Sequence, residues 1–567
     1  MPPEPATDSF SVWFRSWRYF FCFLGLCLLI ALFYAEENWR GRRDWEEYRR
    51  QKEARGERLN PLGFVPPPVP ESENFAMTPL LAPLFQFTPG TQQWTSTNAL
   101  ERAQRFAPGF DAAARIVKSP KAARSNSWVI ARTDMAVWHA ALRLRERAPH
   151  SNPFPGGPAE ADAIVDQQIS QTPGELRDAA AKAIQDAAAG VLDALAECAP
   201  VIEEIRAASR RRYSRFEIRY EEDCPASILL PHLAVLKHFC QVLQLRASAQ
   251  LALGRSEEAA SDINLMLYLT DACRDEPIMV SQMVRMVQLQ MAIQPIAEGL
   301  GQWSEPELRA FQERLQRFDF CADIKRAFEA ERVLFGGGVI DYLRRSPDKY
   351  EMLAGIEESA NLPGLLWAAA PSGWFDFEKL NYSRLFDDYL MPGIDLASRR
   401  ISPRASRQAD EGMTALLRKP WPTLLLRHRF FCRFLLPGFS GTLRKTAFAQ
   451  TAADTAAIAC ALERYRRGHG QFPESLEALA SQLETLAEGS RIAKFIDKLP
   501  HDIITGEPLK YRCTKDGQYV LYSVGWNETD DGGSVEVGTV GEGNPRYGGH
   551  ESSQVGDWVW RPQAGNR

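Results

Sequence analysis

The chain contains no CxxC pair, and its ten cysteines lie scattered, with Cys22 and Cys27 inside an apolar N-terminal run. Neither a zinc site nor a disulfide framework is expected, because both call for cysteines at close or regular spacing. Histidine is sparse and dispersed, with eight residues and no HExxH pair. His232 and His238 stand six apart on different faces of a helix, so each reads as a structural histidine. There is no basic excess: the net charge is -5 and the pI about 6.0. Nucleic acid is therefore not an expected partner. Nucleotide-binding and hydrolase signatures are missing as well. "GTLRKT" from Gly441 lacks the second glycine of a phosphate loop, and "GFSG" from Gly438 lacks GxSxG spacing. "GGG" from Gly336 follows no strand, so it is not a dinucleotide fingerprint. No cofactor and no catalytic residue follows from such motifs.

What is present begins with "YFFCFLGLCLLIALFYA", Tyr19 to Ala35, which carries no charge. About 17 helical residues span roughly 25 Å, enough for a slightly thin bilayer core. Trp13, Trp17, Tyr19, Tyr34 and Trp39 bracket the run as interfacial aromatics do. A cleaved signal peptide fits poorly, since Phe33 stands where a small residue is needed. A single-pass anchor in the inner (cytoplasmic) membrane is expected.

The fold class expected is mainly α. Residues 1–35 form the tail and anchor, and 36–95 a charged juxtamembrane helix and proline-rich spacer. A helical body covers 96–335, a mixed helical and irregular region 336–450, and an α+β module with an irregular tail 451–567. The spacer, Asn60 to Gly90, is too rich in Phe64, Phe75, Leu80, Leu81, Leu84 and Phe85 to be a free linker, so it should pack on a domain surface. In the body, "SILLPHLAVLKHFCQVLQLRASAQLALGRSEEAASDINLMLYL" predicts an αα-hairpin broken at Gly254. "ASAQLALGRSEEAASDI" resembles one tetratricopeptide unit, without a second copy at that period. Ser304 and Glu307 make a capping box at the start of a helix, and the triple glycine at Gly336 should end the helical run.

The stretch Arg418 to Lys445 interleaves Arg427, Arg429 and Arg433 with Trp421, Phe430, Phe431 and Phe434. Its arginines rule out a second membrane span. Two readings stand: a surface lying on an anionic membrane, or a core helix whose arginines snorkel, the simpler of the two.

From Thr451 a helix with Ile458, Leu462 and Tyr465 is expected to stop at Gly468 and Gly470. Phe472 and Pro473 open a short helix bearing Leu476 and Leu479. "PLKYRC" and "QYVLYSV" then alternate as strands around a turn at Asp516-Gly517. The order "LERYRRGHGQFPESLEAL", "LPHDIITGEPLKY", "YVLYSVGWNETDDGG" resembles the periplasmic part of the type II secretion major pseudopilin and related pilin-like modules. Ile503 and Ile504 stand where the family has a proline and an aromatic, and here the helix begins some four hundred residues after the anchor. The whole layout also resembles large bacterial envelope proteins that join an anchor, a helical body and such an ending.

The resemblance implies a calcium site in the acidic loop, with Asn527, Asp530, Asp531 and Glu536 as oxygen donors and Gly532 and Gly533 permitting the bends. A solvated acidic turn is the alternative. The resemblance also favours an extracytoplasmic body. Taken alone, Arg40, Arg42, Arg43, Arg49, Arg50 and Lys52 after the anchor favour a cytoplasmic one. Long domains, however, translocate largely regardless of charge. The expected function is an anchored extracytoplasmic scaffold or protein-binding protein with protein partners. A part in a secretion or pilus-like assembly, and an enzyme of another class, are the alternatives.

Overall fold

The computed structural model describes residues 9–88, 91–104, 110, 113–114, 132–147, 175–222, 224–346, 367, 369–435, 439, 441–480, 495–534 and 556–561. Helix α1 (Ser9–Ala54) carries the apolar run and the charged stretch after it as one unbroken rod. No proline interrupts it, and Glu, Arg and Lys sustain helix beyond Ala35. The large apolar side chains from Phe20 to Phe33 are about half exposed or more, and Tyr19 is 73% exposed. Among the described residues nothing covers them.

The body is helical, as its patterning indicates. Helices α2 (Pro231–Ala252) and α3 (Ser256–Asp271) form the expected hairpin, and Gly254 makes the break at φ 74°. A left-handed turn there costs a glycine least. Helix α2 is apolar enough to cross a membrane, but Leu236, Phe239, Val242 and Leu243 are buried, so it is a core helix. Helix α4 (Met279–Glu298) packs on both. Helix α5 (Glu305–Leu315) opens with the expected capping box, in which Ser304 N–H donates to Glu307 Oε2 at 2.6 Å. Helix α6 (Phe320–Ala330) follows.

The triple glycine does not end this run. The chain passes through a π-helix, Glu331–Gly337, straight into α7 (Gly338–Arg345). The glycines serve packing instead: a Cβ on Gly336 would overlap the Tyr382 ring, and one on Gly338 would overlap Pro225. The spacer also departs from expectation. It folds as short 3-10 turns, and Phe75, Leu80, Leu81 and Leu84 enter the main core instead of lying on its surface. Asn74 fastens it by taking Arg215 N–H at 2.8 Å and donating to Arg215 O at 2.7 Å.

Helix α8 (Ser372–Leu385) runs alongside the charged half of α1. Asn38 Oδ1 accepts Gly373 N–H at 2.9 Å, and Glu37 Oε2 accepts Trp374 Nε1–H at 3.0 Å. Farther along, Tyr48 donates to Asp387 at 2.8 Å, and Arg332 bridges Glu57 and Asp387 at 2.9 and 2.8 Å. Partner numbers rise together along both helices, so the two run parallel.

Helix α9 (Thr442–His469) begins nine residues before Thr451 and is buried from Ala452 to Arg464 without interruption. Its alanines let α4, α5 and α6 approach one side while the sheet approaches another. Arg464 ties it to α5 through Glu305 at 2.8 Å and Gln312 at 2.8 Å. Gly470 closes it at φ 77°, while Gly468 remains inside the helix. The antiparallel sheet has the order β1 (Lys510–Cys513), β2 (Tyr519–Ser523), β3 (Trp558–Trp560). The hairpin and its Gly517 turn match the sequence reading. The third strand does not: it comes from the tail expected to be irregular. Trp558 and Trp560 are buried there, so packing makes a strand of a segment too short to read by alternation.

Candidate functional site

The acidic loop leaves β2 at Ser523 and returns beside β3. Asp502 holds its root: Oδ1 accepts from Ile504 N–H at 2.9 Å and Ser523 Oγ–H at 3.0 Å, and Oδ2 accepts from Val524 N–H at 3.1 Å. Burial pushes the Asp502 carboxyl up, against those three donors. Asn527, Asp530 and Asp531 stand in this one loop. Asn527 donates to Asp531 Oδ2 at 2.9 Å, while Asp530 Oδ1 accepts from Tyr522 at 3.0 Å and from Gly532 N–H at 3.0 Å. Glu536 lies outside the described residues.

A fourth group, not seen from sequence, is Asp557. It is buried and takes Asp531 N–H at 3.2 Å and Gly533 N–H at 2.6 Å. Burial raises its carboxyl above the ordinary range, and the Asp531 and Asp530 charges add to that. Gly532 and Gly533 turn through φ 71° and 69°. Opposing charge surrounds the loop: Lys510 Nζ stands 3.9 Å from Asp530, Arg512 and Arg561 donate to the carbonyls of Gly532 and Gly533, and Arg407 pairs with Glu528. Carboxylates, an amide and turn carbonyls are the donor chemistry a hard cation takes, but among the described residues the Asp530, Asp531 and Asp557 carboxylates are not gathered within 4.8 Å of one another, and both turn carbonyls already accept from arginines. Asp557 was not among the donors the resemblance implied. Nothing local in sequence marks it, since it lies 26 residues beyond Asp531.

A second cluster is buried in the body. His232 Nε2 lies 2.8 Å from Glu276 Oε1, and Ser281 donates to the other carboxylate oxygen. The His232, Cys273 and Glu276 ligand atoms all fall within 4.8 Å of one another. The Cys/His proximity that sequence spacing did not reveal is thus made by tertiary structure. Nitrogen, sulfur and oxygen donors of this kind suit zinc. Here, however, they bond to one another: the Glu276 carboxylate receives Cys273 as well, and burial holds that thiol well above its usual pKa. His232 is also stacked on Phe216, with ring centroids 4.2 Å apart. The arrangement is a polar knot that fixes the α3–α4 connection, with the buried His232 Nδ1 left without a hydrogen bond. Next to it, fully buried Arg285 reaches Asp323 at 2.7 Å, Thr270 O at 2.8 Å and Asp271 at 3.2 Å.

The chain matches no family model, no curated protein and no solved structure.

Proposed function

We propose that the protein is a membrane-anchored scaffold or protein-binding protein whose folded body lies on the extracytoplasmic side of the inner membrane. One observation carries the reading. Helix α1 exposes its apolar half entirely and continues without a break into a half that is bonded to the body. A bilayer is the solvent that satisfies such a surface. The extracytoplasmic side is supported by the pilin-like order of helix, hairpin and acidic loop. Calcium in that loop, held by Asn527, Asp530, Asp531 and Asp557, belongs to the same reading and would lock the loop onto the sheet.

A part in a secretion or pilus-like assembly is the second reading, favoured by that same order. Protease treatment of sealed spheroplasts, followed by crosslinking and pull-down from membranes, tests the proposal. Cleavage of the body in intact spheroplasts and a reproducible protein partner are expected. A body protected until the membrane is opened would overturn the side assigned. Recovery of no reproducible partner would overturn the scaffold role.

A further inference from the structure

The apolar run of α1 ends at Ala35, and the body begins almost at once. Glu37 bonds Trp374, Asn38 bonds Gly373, and the Arg40 guanidinium lies 5.7 Å from the centre of the Phe377 ring. At 1.5 Å per residue these contacts sit roughly 3 to 8 Å past the run. The headgroup layer extends about 5 to 7 Å beyond each face of the hydrocarbon core. The start of α8 therefore stands at headgroup height.

The loop after the short helix Trp421–Leu426 is pinned along α8 from Trp374 to Asn381. The His428 ring stacks on Phe377 at 4.7 Å and meets Trp374 at 5.2 Å. Asn381 donates to Arg427 O at 3.2 Å and to His428 O at 2.9 Å, and buried Glu378 accepts the N–H groups of Phe430 and Phe431 at 2.7 and 3.0 Å. His428 itself is held at φ 50°, a region few side chains adopt. A residue held there by so many partners fixes the loop tip in one place.

The tip presents a distinct chemistry. Leu424, Leu425, Phe430 and Phe431 are buried, as a core segment would be. Leu426 is not: at 77% it is the most exposed large apolar side chain among the described residues. Arg427 beside it is exposed and forms no ion pair among the described residues, and Arg42 on α1 is exposed as well. Against them stand Glu36, exposed, and Glu37, which is 2.9 Å from Arg40.

We propose that Leu426 and Arg427 form an interfacial membrane contact, with Leu426 entering the boundary between headgroups and acyl chains and Arg427 pairing with anionic headgroups. The body then lies against the bilayer that holds α1 instead of standing off it. An exposed leucine next to an unpaired arginine, on a loop whose His428 ring reaches the start of α8, suits that boundary. This rests on the anchor reading above.

The test uses the full chain reconstituted in vesicles, either of phosphatidylcholine alone or with phosphatidylglycerol added. The variants Cys22→Ser, Cys27→Ser, Cys224→Ser and Cys513→Ser clear the accessible thiols. Leu426→Cys then carries a polarity-sensitive dye, and Leu62→Cys, past the far end of α1 and also exposed, serves as control. Flotation with the vesicles at alkaline pH reports the anchor separately. A blue shift at position 426 in anionic vesicles is expected, reduced by salt and by Arg427→Glu, with none at position 62. Flotation without any difference between the two positions overturns this contact and leaves the anchor standing. A shift of equal size in neutral vesicles, unmoved by Arg427→Glu, overturns the headgroup pairing. Failure to float overturns the anchor reading and this one with it.

Discussion

Gly41 and Gly373 meet backbone to backbone where α1 crosses α8. A Cβ on Gly41 would fall on the Gly373 carbonyl, and one on Gly373 would fall on the Glu37 carbonyl, each well inside the 3.0 Å that real Cβ atoms keep. No flexible side chain can yield there, because both obstacles are main chain. Gly41→Ala or Gly373→Ala should therefore cost about 1 to 3 kcal/mol and loosen α1 from the body. Thermal unfolding of the detergent-purified chain, with protease cutting between residues 36 and 54, measures both effects. Gly301→Ala, which meets open space, should stay within about 0.5 kcal/mol. Equal behaviour of all three variants would refute the close crossing.

Three buried carboxyls predict how stability follows pH. Burial raises Glu378 to about 8, Glu331 to about 7 and Asp454 to about 6. Each holds a proton in the folded chain that it has lost in the unfolded chain between the ordinary carboxylate range and its raised value. Their stabilising contribution is complete below that range and is lost as pH rises to about 8. The slope from each is at most about 1.4 kcal/mol per pH unit. Urea unfolding from pH 5 to 8 should show falling stability, and Glu378→Gln should flatten the upper part of the curve even if it lowers stability overall. An unchanged slope in that variant would remove Glu378 as a cause.

Arg285 and Asp323 form a buried pair at 2.7 Å. Arg285→Met leaves the Asp323 charge with only the more distant Arg326 at 3.3 Å and Arg274 at 3.7 Å. A loss of about 3 kcal/mol is expected, because a buried charge that loses its closest partner is the costly outcome. Adding Asp323→Asn should recover part of it, and a double-mutant cycle reads the coupling. Strictly additive losses would show that the two groups do not depend on each other.

Calcium should raise the unfolding midpoint of the full chain relative to chelator, by up to about 2.7 kcal/mol at a hundredfold excess over Kd. Magnesium, which dehydrates reluctantly, should do less. Asp530→Asn and Asp531→Asn should each abolish the difference. Identical midpoints with calcium and chelator in the unmodified chain would sink the loop as a metal site.

Local signals in the sequence were read where one element owns them. The Asp516-Gly517 turn, the Ser304 capping box and the Gly254 break each lie within a few residues, and each appears as expected. Signals that depend on a distant partner were not legible. Gly336 looks like a helix breaker until Tyr382, forty-six residues on, is seen filling the space a side chain would need. Asp557 and the His232–Glu276 pair carry no spacing clue, because folding alone brings their partners near. Leu426 had been covered by either reading of its segment, and only burial of its neighbours and exposure of its own side chain separate the tip from the core.

Helix α9 sets an order on synthesis. The faces of α4, α5 and α6 that it covers are complete by Ala330, yet the strut that closes them does not start until Thr442. While the ribosome adds the intervening hundred or so residues, those faces lack their α9 cover, and α1 has already emerged. Those faces of the body can therefore close only once α9 is made, and a chain cut short before α9 carries them open for holding factors or proteases to meet.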